Sequence, residues 1–278
     1  MRSTRAVAGS VVAVTGGARG IGRQIARRLA AAGARVAVGD LDGAAARRTA
    51  QELGDGIVGL DLDVSSTESF TRFVDAVESG LGPVDVLVNN AGVMWVGPFA
   101  DEPEATMARQ VEVNLLGVMR GVRVVAPAMR ARGRGHIVTI ASAASVLTTP
   151  GEATYAATKH GVLGYLRAVR EELHRSGVEV TVVMPAVVDT DLAAGTATGA
   201  ARLLQPDDVA RAVAEAIRRP RFEVGIPGYV QPLNRVIALL PAAVRDAAAR
   251  RLVPNQLTQS DPSVRAAYQS RLVDGEVS

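Results

Sequence analysis

Tyr155 and Lys159 stand four residues apart in the segment Tyr155-Ala156-Ala157-Thr158-Lys159. On a helix, that spacing puts both side chains on one face. A phenol ordinarily titrates near ~10. A neighbouring ammonium, together with the positive charge of a bound oxidised group, favours the phenolate, by roughly 1–3 units, and moves tyrosine toward the range of a working general acid/base. Composition sharpens the pairing. Lysine and arginine together number 31, and Lys159 is the single lysine among them. An ammonium is a compact charge with three rotatable donors, whereas a guanidinium is a broad planar fork. A chain that uses arginine for every other cation keeps its one ammonium beside a tyrosine. Ser142 lies 13 residues before Tyr155, at the end of an apolar run, where its hydroxyl can hold a substrate oxygen beside the phenol. Ser145 is the weaker choice, because it lies beyond that run. Asn114 falls inside a long helical stretch, where asparagine is a poor helix former. It is read as disturbing that helix and holding a water that relays protons. The chemistry of such a set is proton transfer at an alcohol or a carbonyl.

A second cluster lies near the start of the chain. Thr15-Gly16-Gly17-Ala18-Arg19-Gly20-Ile21-Gly22 follows a first apolar run and opens a helical stretch. Gly16, Gly20 and Gly22 permit a tight turn and let main chain approach a pyrophosphate. The free N–H groups of the helix start then favour an anion. No Lys-Ser/Thr pair follows, so this is not a P-loop. Asp40 ends the second apolar run, 18 residues after Gly22. A carboxylate there accepts hydrogen bonds from ribose hydroxyls and repels a 2′-phosphate, which favours NAD over NADP. Arg19 is the counterweight, since a guanidinium beside the loop can hold that phosphate. Asp42 reads as a helix-start residue. Asp63-Val64 follows the third run, where an adenine ring would lie. Asn89-Asn90-Ala91-Gly92 follows the fourth, with small residues that keep the chain close to a dinucleotide.

These residues need a scaffold that gathers chain turns along one edge. Short Val- or Ile-rich runs at Ser10–Thr15, Arg35–Gly39, Ile57–Leu60, Val84–Val88, His136–Ala141 and Val178–Met184 show little polar alternation, as strands buried on both faces do, and a last strand is expected at Phe222–Gly225. Helical stretches separate them near Ile21–Ala32, Gly43–Leu53, Thr67–Glu78, Pro103–Arg130, Ala153–Arg175 and Pro206–Arg218. Alternating strand and helix predicts an α/β fold, a doubly wound parallel sheet of the Rossmann type. Residues 1–228 are expected to form this catalytic domain. Residues 229–278 are expected to form a C-terminal helical extension and tail of the same domain. Within them, Val230–Val253 reads as two short helices broken at Pro241, and the polar tail from Pro254 reads as loosely held.

With these residues in view, the sequence resembles the short-chain dehydrogenase/reductase family, in its compact single-domain form. The resemblance rests on Thr15–Gly22, Asp63-Val64, Asn89–Gly92, Asn114, Ser142, Tyr155 and Lys159, in family order and spacing over about residues 8 to 226. It implies a catalytic tetrad of Asn114, Ser142, Tyr155 and Lys159. It also implies an NAD(P) cofactor held by Gly16, Arg19, Gly20, Ile21, Gly22, Asp40, Asp63, Val64, Asn90, Ala91, Gly92, Tyr155 and Lys159. Pro185, Val188 and Thr190 would contact the nicotinamide end. Ala186 stands where the family usually has glycine, which bears on the local turn. The activity implied is interconversion of an alcohol and a carbonyl by hydride transfer, with Tyr155 as general acid/base. Two other readings remain in the residues: an NAD(P)-sensing binding protein without turnover, and an enzyme akin to sugar-nucleotide epimerases and dehydratases.

The loop after Thr190, Asp191 to Leu204, is small and apolar and has Gly195 and Gly199 as flexible points, so it reads as a lid. Val93, Met94, Trp95, Val146, Leu147 and Val187 are expected to line an apolar substrate pocket. Composition narrows the remaining classes. The chain has 278 residues and no cysteine, so disulfides and thiolate chemistry are excluded. This fits a reducing cytoplasm. A pI near 9.8 accompanies only 3% aromatic residues, which argues against a nucleic-acid partner. Met1–Gly9 lacks the apolar run of a signal peptide, and no transmembrane segment is expected. His136, His160 and His174 do not form a metal set, and no metal is expected. The family resemblance implies a homodimer or homotetramer.

Overall fold

A computed structural model gives the fold and describes residues 6–199, 202–229 and 253–273, with scattered positions between 232 and 251. Seven strands form one parallel sheet: β1 Val11–Thr15, β2 Arg35–Asp40, β3 Ile57–Asp61, β4 Val86–Asn89, β5 Gly135–Ile140, β6 Val178–Pro185 and β7 Glu223–Ile226. Their order is β3-β2-β1-β4-β5-β6-β7. The order reverses between β1 and β4, and a crevice opens there beyond the carboxyl ends of the strands. The central strands are rich in valine because helices cover both faces.

Helices α1 Gly20–Ala31, α2 Gly43–Leu53 and α7 Pro206–Arg218 cover one face. Ile25, Leu29, Val209, Val213 and Ile217 are buried there against the valines of β1, β2 and β4. Arg28 donates to Asp207 at 2.7 and 2.8 Å, which fastens α1 to α7. Helices α3 Thr67–Leu81, α5 Gly117–Ala131 and α6 Ala153–Glu172 cover the other face, with Phe70, Phe73, Val125, Met129 and Leu166 in that core.

Two departures from the sequence reading bear on function. The expected helix over Pro103–Arg130 is broken. It runs as α4 Glu104–Val111, a π-helical turn Glu112–Leu116, and α5. Asn114 sits in that turn with no exposed surface. The second departure is the tail. It forms α8 Gln256–Gln259 and α9 Pro262–Val273, with Gln256, Arg265, Tyr268 and Leu272 buried. It is held because its polar side chains bond to the main chain of loops around the crevice. The two helices expected over Val230–Val253 fall on residues that lie mostly outside those described.

Candidate active site

The glycine loop fills the crevice between β1 and α1. Thr15 Oγ1 accepts from the N–H groups of Asn90 and Ala91 at 2.9 and 3.1 Å. Asn90 Nδ2 donates back to the carbonyls of Thr15 and Gly16 at 3.0 and 2.9 Å. The loops after β1 and β4 are therefore one hydrogen-bonded unit. Gly16 has φ +61, and a Cβ there would come within 2.8 Å of the Ala91 Cα. A Cβ at Gly22 would meet the Gly16 carbonyl at 2.3 Å. Only glycine fits either position. Gly20 has φ +53 and faces Thr190 across the crevice, where a Cβ would lie 3.5 Å from its methyl. Arg19 is the extended residue that starts α1, and its side chain makes no capping bond.

Asp40 closes this unit from β2. Its Oδ2 accepts from the Ala18 N–H at 3.0 Å and its Oδ1 from the Asp42 N–H at 3.2 Å. Burial raises its proton affinity. The two main-chain donors and the Arg19 guanidinium act in the opposite direction. Asp42 caps α2 by accepting from the Ala45 N–H at 2.9 Å. Asp63 is turned onto Ser65, accepting from its N–H and hydroxyl at 2.8 and 2.6 Å. Val64 is buried against Gly117. Both sit just beyond β3, where the Leu62 N–H donates to the Asp40 carbonyl at 2.9 Å.

Ser142, Tyr155 and Lys159 converge on a cavity of about 390 Å³ that Ile21, Asn90 and Gly92 also line. Ser142 starts the 3-10 turn Ala143–Ser145, and its Oγ accepts from the Ala144 N–H at 3.1 Å. Ser145 is buried, does not line the cavity, and its hydroxyl has no partner among the described residues. Lys159 Nζ lies 5.4 Å from the centre of the Tyr155 ring and donates to the Ile140 carbonyl at 3.4 Å. Burial lowers this ammonium to about 8. Asn114 stands behind the cavity. It bonds both main-chain groups of Val93 and donates to Thr158 Oγ1 at 3.2 Å.

The phenol does not follow the electrostatic expectation. Burial pushes the Tyr155 proton affinity up, and Glu152 adds to the rise. A hydrogen bond with Ser142 opposes it. Desolvation of the buried phenolate is the largest effect.

Pro185, Ala186, Val187, Val188 and Thr190 form the far wall. The turn accommodates Ala186, whose N–H donates to the Ile226 carbonyl at 2.8 Å. Of the other expected lining residues, Met94 and Leu147 face the cavity, whereas Val93, Trp95 and Val146 pack into the core instead. The loop after Thr190 lies on the cavity and is fastened down. Gly195, with φ +73, accepts from the Asp261 N–H at 2.8 Å. Gln256 pairs with both main-chain groups of Ala197 at 2.8 and 2.9 Å. Arg265 donates to the carbonyls of Leu192, Ala194 and Met94 at 3.1, 3.0 and 3.0 Å. Sequence reasoning missed Glu152, Gln256, Arg265 and Tyr268. Glu152 had a local signal, one helical turn before Tyr155. The other three had none, because their partners are distant main-chain atoms.

A crevice at the strand-order reversal, a bare glycine turn at a helix start, and a phenol and an ammonium at its far end define a dinucleotide-type site of the oxidoreductase class. The family model for short chain dehydrogenase matches residues 10–200. The chain belongs to that family. It is 36% identical to 3-alpha-(or 20-beta)-hydroxysteroid dehydrogenase from Mycobacterium tuberculosis, over 66% of this chain and 71% of that protein. It is 31% identical to the probable oxidoreductase EphD of the same organism, over 88% of this chain. The chain spans 45% of the length of EphD and 19% of glycine betaine reductase ATRR from Emericella nidulans. The crystal structure of a short chain dehydrogenase/reductase from Burkholderia phymatum in complex with NAD superposes with a TM-score of 0.78 at 27% identity, covering 93% of this chain and 99% of that one.

Proposed function

We propose that this chain interconverts an alcohol and a carbonyl with a nicotinamide dinucleotide, NAD in preference to NADP, on an apolar substrate. The observation that carries the reading is the convergence of Ser142, Tyr155 and Lys159 on one cavity, continuous with the glycine turn. The residues fit a dinucleotide. Gly20 leaves open the space opposite Thr190 that a side chain would enter, and the main chain at the start of α1 is bare. When bound, the nicotinamide supplies or accepts the hydride. Gly16, Gly20, Ile21 and Gly22 would hold the pyrophosphate, Asp40 the adenosine ribose, and Asp63 and Val64 the adenine side. Asn90, Ala91, Gly92, Pro185, Val188 and Thr190 would border the nicotinamide half.

Ser142 Oγ holds the substrate oxygen. Tyr155 takes the hydroxyl proton in oxidation and returns it in reduction. Lys159 would hold the nicotinamide ribose and pass the proton on. A relay water would be held at Asn114, by main chain of the π-helical turn or by the second lone pair of Oδ1, because both Nδ2 hydrogens are committed to Val93 and Thr158. The 3-alpha-(or 20-beta)-hydroxysteroid dehydrogenase among the relatives supports an apolar substrate class. The family resemblance supports assembly as a homodimer or homotetramer through α5 and α6. Among the described residues, no helix is long and apolar enough to cross a membrane.

The test is Tyr155→Phe assayed on a panel of apolar alcohols and ketones. Turnover should fall by at least 10²-fold, the size of a lost general acid/base, while NADH binding by fluorescence persists. Wild-type turnover in the variant refutes the role of Tyr155. Tighter kcat/KM with NADP than with NAD refutes the cofactor preference.

A further inference from the structure

The cavity contains one buried acid that proton transfer does not use. Glu152 immediately precedes α6 and stands three positions before Tyr155. It is 8% exposed and lines the cavity. Its main chain is satisfied, with its N–H donating to Thr149 at 3.1 Å and its carbonyl accepting from Ala156 at 2.8 Å. Its carboxyl accepts no hydrogen bond from any described residue. The nearest opposing charge, Arg265, attracts it without forming an ion pair, because the Arg265 Nη donors are committed to three carbonyls. Buried polar groups are paired almost without exception, and a carboxyl facing an apolar cavity is costly to leave unpaired.

The other buried polar side chains on this wall, and Ser142 beside them, have assignments. Ser142 and Tyr155 face the reacting oxygen. Lys159 serves the relay. The Gln256 amide is bonded at both ends to Ala197. Glu152 is left to receive a donor brought by the ligand.

We propose that Glu152 anchors the substrate through a second hydroxyl, remote from the carbon that exchanges hydride, so that the preferred substrates are apolar hydroxyketones and diols. The inference rests on the oxidoreductase reading of the same cavity. A hydroxyl suits this carboxyl better than an ammonium does. Burial pushes Glu152 up to about 7, so both of its protonation states are present near neutral pH. A hydroxyl donates to the carboxylate and accepts from the acid, whereas an ammonium needs the carboxylate alone. An incoming cation would also meet the buried charges of Arg265 and Lys159. A carboxylate ligand would meet Glu152 itself.

The experiment compares kcat/KM for cycloalkanones and alkanones with their hydroxylated counterparts, the hydroxyl moved stepwise around the ring or along the chain. Wild type, Glu152→Gln and Glu152→Leu are assayed with NADH. In wild type, at least one hydroxyl position should be preferred by about 10- to 100-fold, the range of a hydrogen bond to a charged group. Glu152→Gln keeps an acceptor and should retain part of the preference. Glu152→Leu should bring the ratio to about one. NADH binding by each variant verifies that it is folded. A wild-type ratio of one at every position overturns the anchor and leaves the oxidoreductase reading standing, as does a preference that survives in Glu152→Leu. If no ketone turns over, the oxidoreductase reading falls. The anchor is then decided by calorimetric binding of diols against mono-alcohols to wild type and Glu152→Leu. Equal affinities there overturn it.

Discussion

Asn114 grips both main-chain groups of Val93: its Nδ2 donates to the Val93 carbonyl and its Oδ1 accepts from the Val93 N–H, each at 2.8 Å. Its second Nδ2 hydrogen goes to Thr158 Oγ1 on α6. One amide therefore ties the loop after β4, the π-helical turn and the helix that carries Tyr155 and Lys159. Gly92 completes the arrangement. A Cβ there would come within 3.2 Å of Asn114 Oδ1 and 3.7 Å of Lys159 Nζ. The π turn directs the amide inward, which an uninterrupted α-helix at this point does not do.

Asn114→Ala should therefore damage stability and turnover together. It leaves the Val93 N–H and carbonyl buried without partners, at about 1–3 kcal/mol for each. Thermal unfolding should move down by several degrees. The reacting groups lose their alignment, so kcat should fall more than KM rises. An unchanged melting temperature would show that water or a neighbouring group replaces the amide, and the tie would not be structural.

Lys159 should trade stability for activity. Burial lowers its ammonium from 10.5 to about 8. The unfolded chain thus binds the proton more tightly than the folded one, and the charged form opposes folding below about 8. That penalty is relieved as pH rises from about 8 toward 10.5. Lys159→Met should raise the melting temperature at neutral pH and lose the advantage as the pH climbs through that window. Turnover should fall at every pH, because no ammonium is left to hold the ribose or pass the proton. Calorimetry across pH checks the sign. A variant less stable than wild type at neutral pH contradicts it.

How far the sequence disclosed the site depends on how local each interaction is. Tyr155 and Lys159 share a helix face, so their spacing alone brings them together. The glycine turn is equally local, since Gly16 and Gly22 collide with main chain that the turn itself supplies. Valine-rich runs marked the central strands, because burial on both faces leaves no alternation to obscure them. The disturbance of the long helix at Asn114 was legible from asparagine being a poor helix former, but its π form was not, since Asn114 bonds Val93, 21 positions earlier and on another element. Nor was the fastening of the tail, since Arg265 reaches Met94 across 171 positions and reads only main chain, which leaves no mark on side-chain pattern. The burial of the Tyr155 phenol was not legible for a related reason. Pair spacing shows the ammonium but not the desolvation that raises the proton affinity of the phenol.

Asp40, to which we assign the cofactor preference, also holds part of the fold. Its carboxylate accepts from Ala18 and Asp42 and is nearly fully buried. Asp40→Asn keeps the shape and an oxygen acceptor while removing the charge that a 2′-phosphate would meet. The ratio of kcat/KM for NADP over NAD should rise by about 10-fold or more, equivalent to about 1.4 kcal/mol. Arg19, already close enough to Asp40 to stabilise its charge, is then free to face the phosphate. The double variant Asp40→Asn/Arg19→Ala should lose most of the gain. A ratio that does not move in Asp40→Asn would place the discrimination elsewhere.

Arg265 tests whether the tail shapes the substrate cavity. It is 1% exposed, and its guanidinium bonds the carbonyls of Leu192 and Ala194 on the loop after β6 and of Met94 on the loop after β4. A planar fork can meet three carbonyls at fixed angles, whereas a lysine ammonium is a shorter-reaching point donor. Arg265→Lys retains the charge near Glu152 but cannot span both loops. Arg265→Leu removes the charge as well and leaves three carbonyls unsatisfied. In both variants KM for apolar substrates should rise about 10-fold or more, by release of the loop. Binding of the adenosine half of the dinucleotide, which on our proposal meets Asp40 and the glycine turn, should stay near wild type. The split between the two affinities separates a wall that positions substrate from a general loss of fold. If substrate KM and cofactor affinity decline in step, or if Arg265→Lys behaves as wild type, the tail does not position the substrate loop.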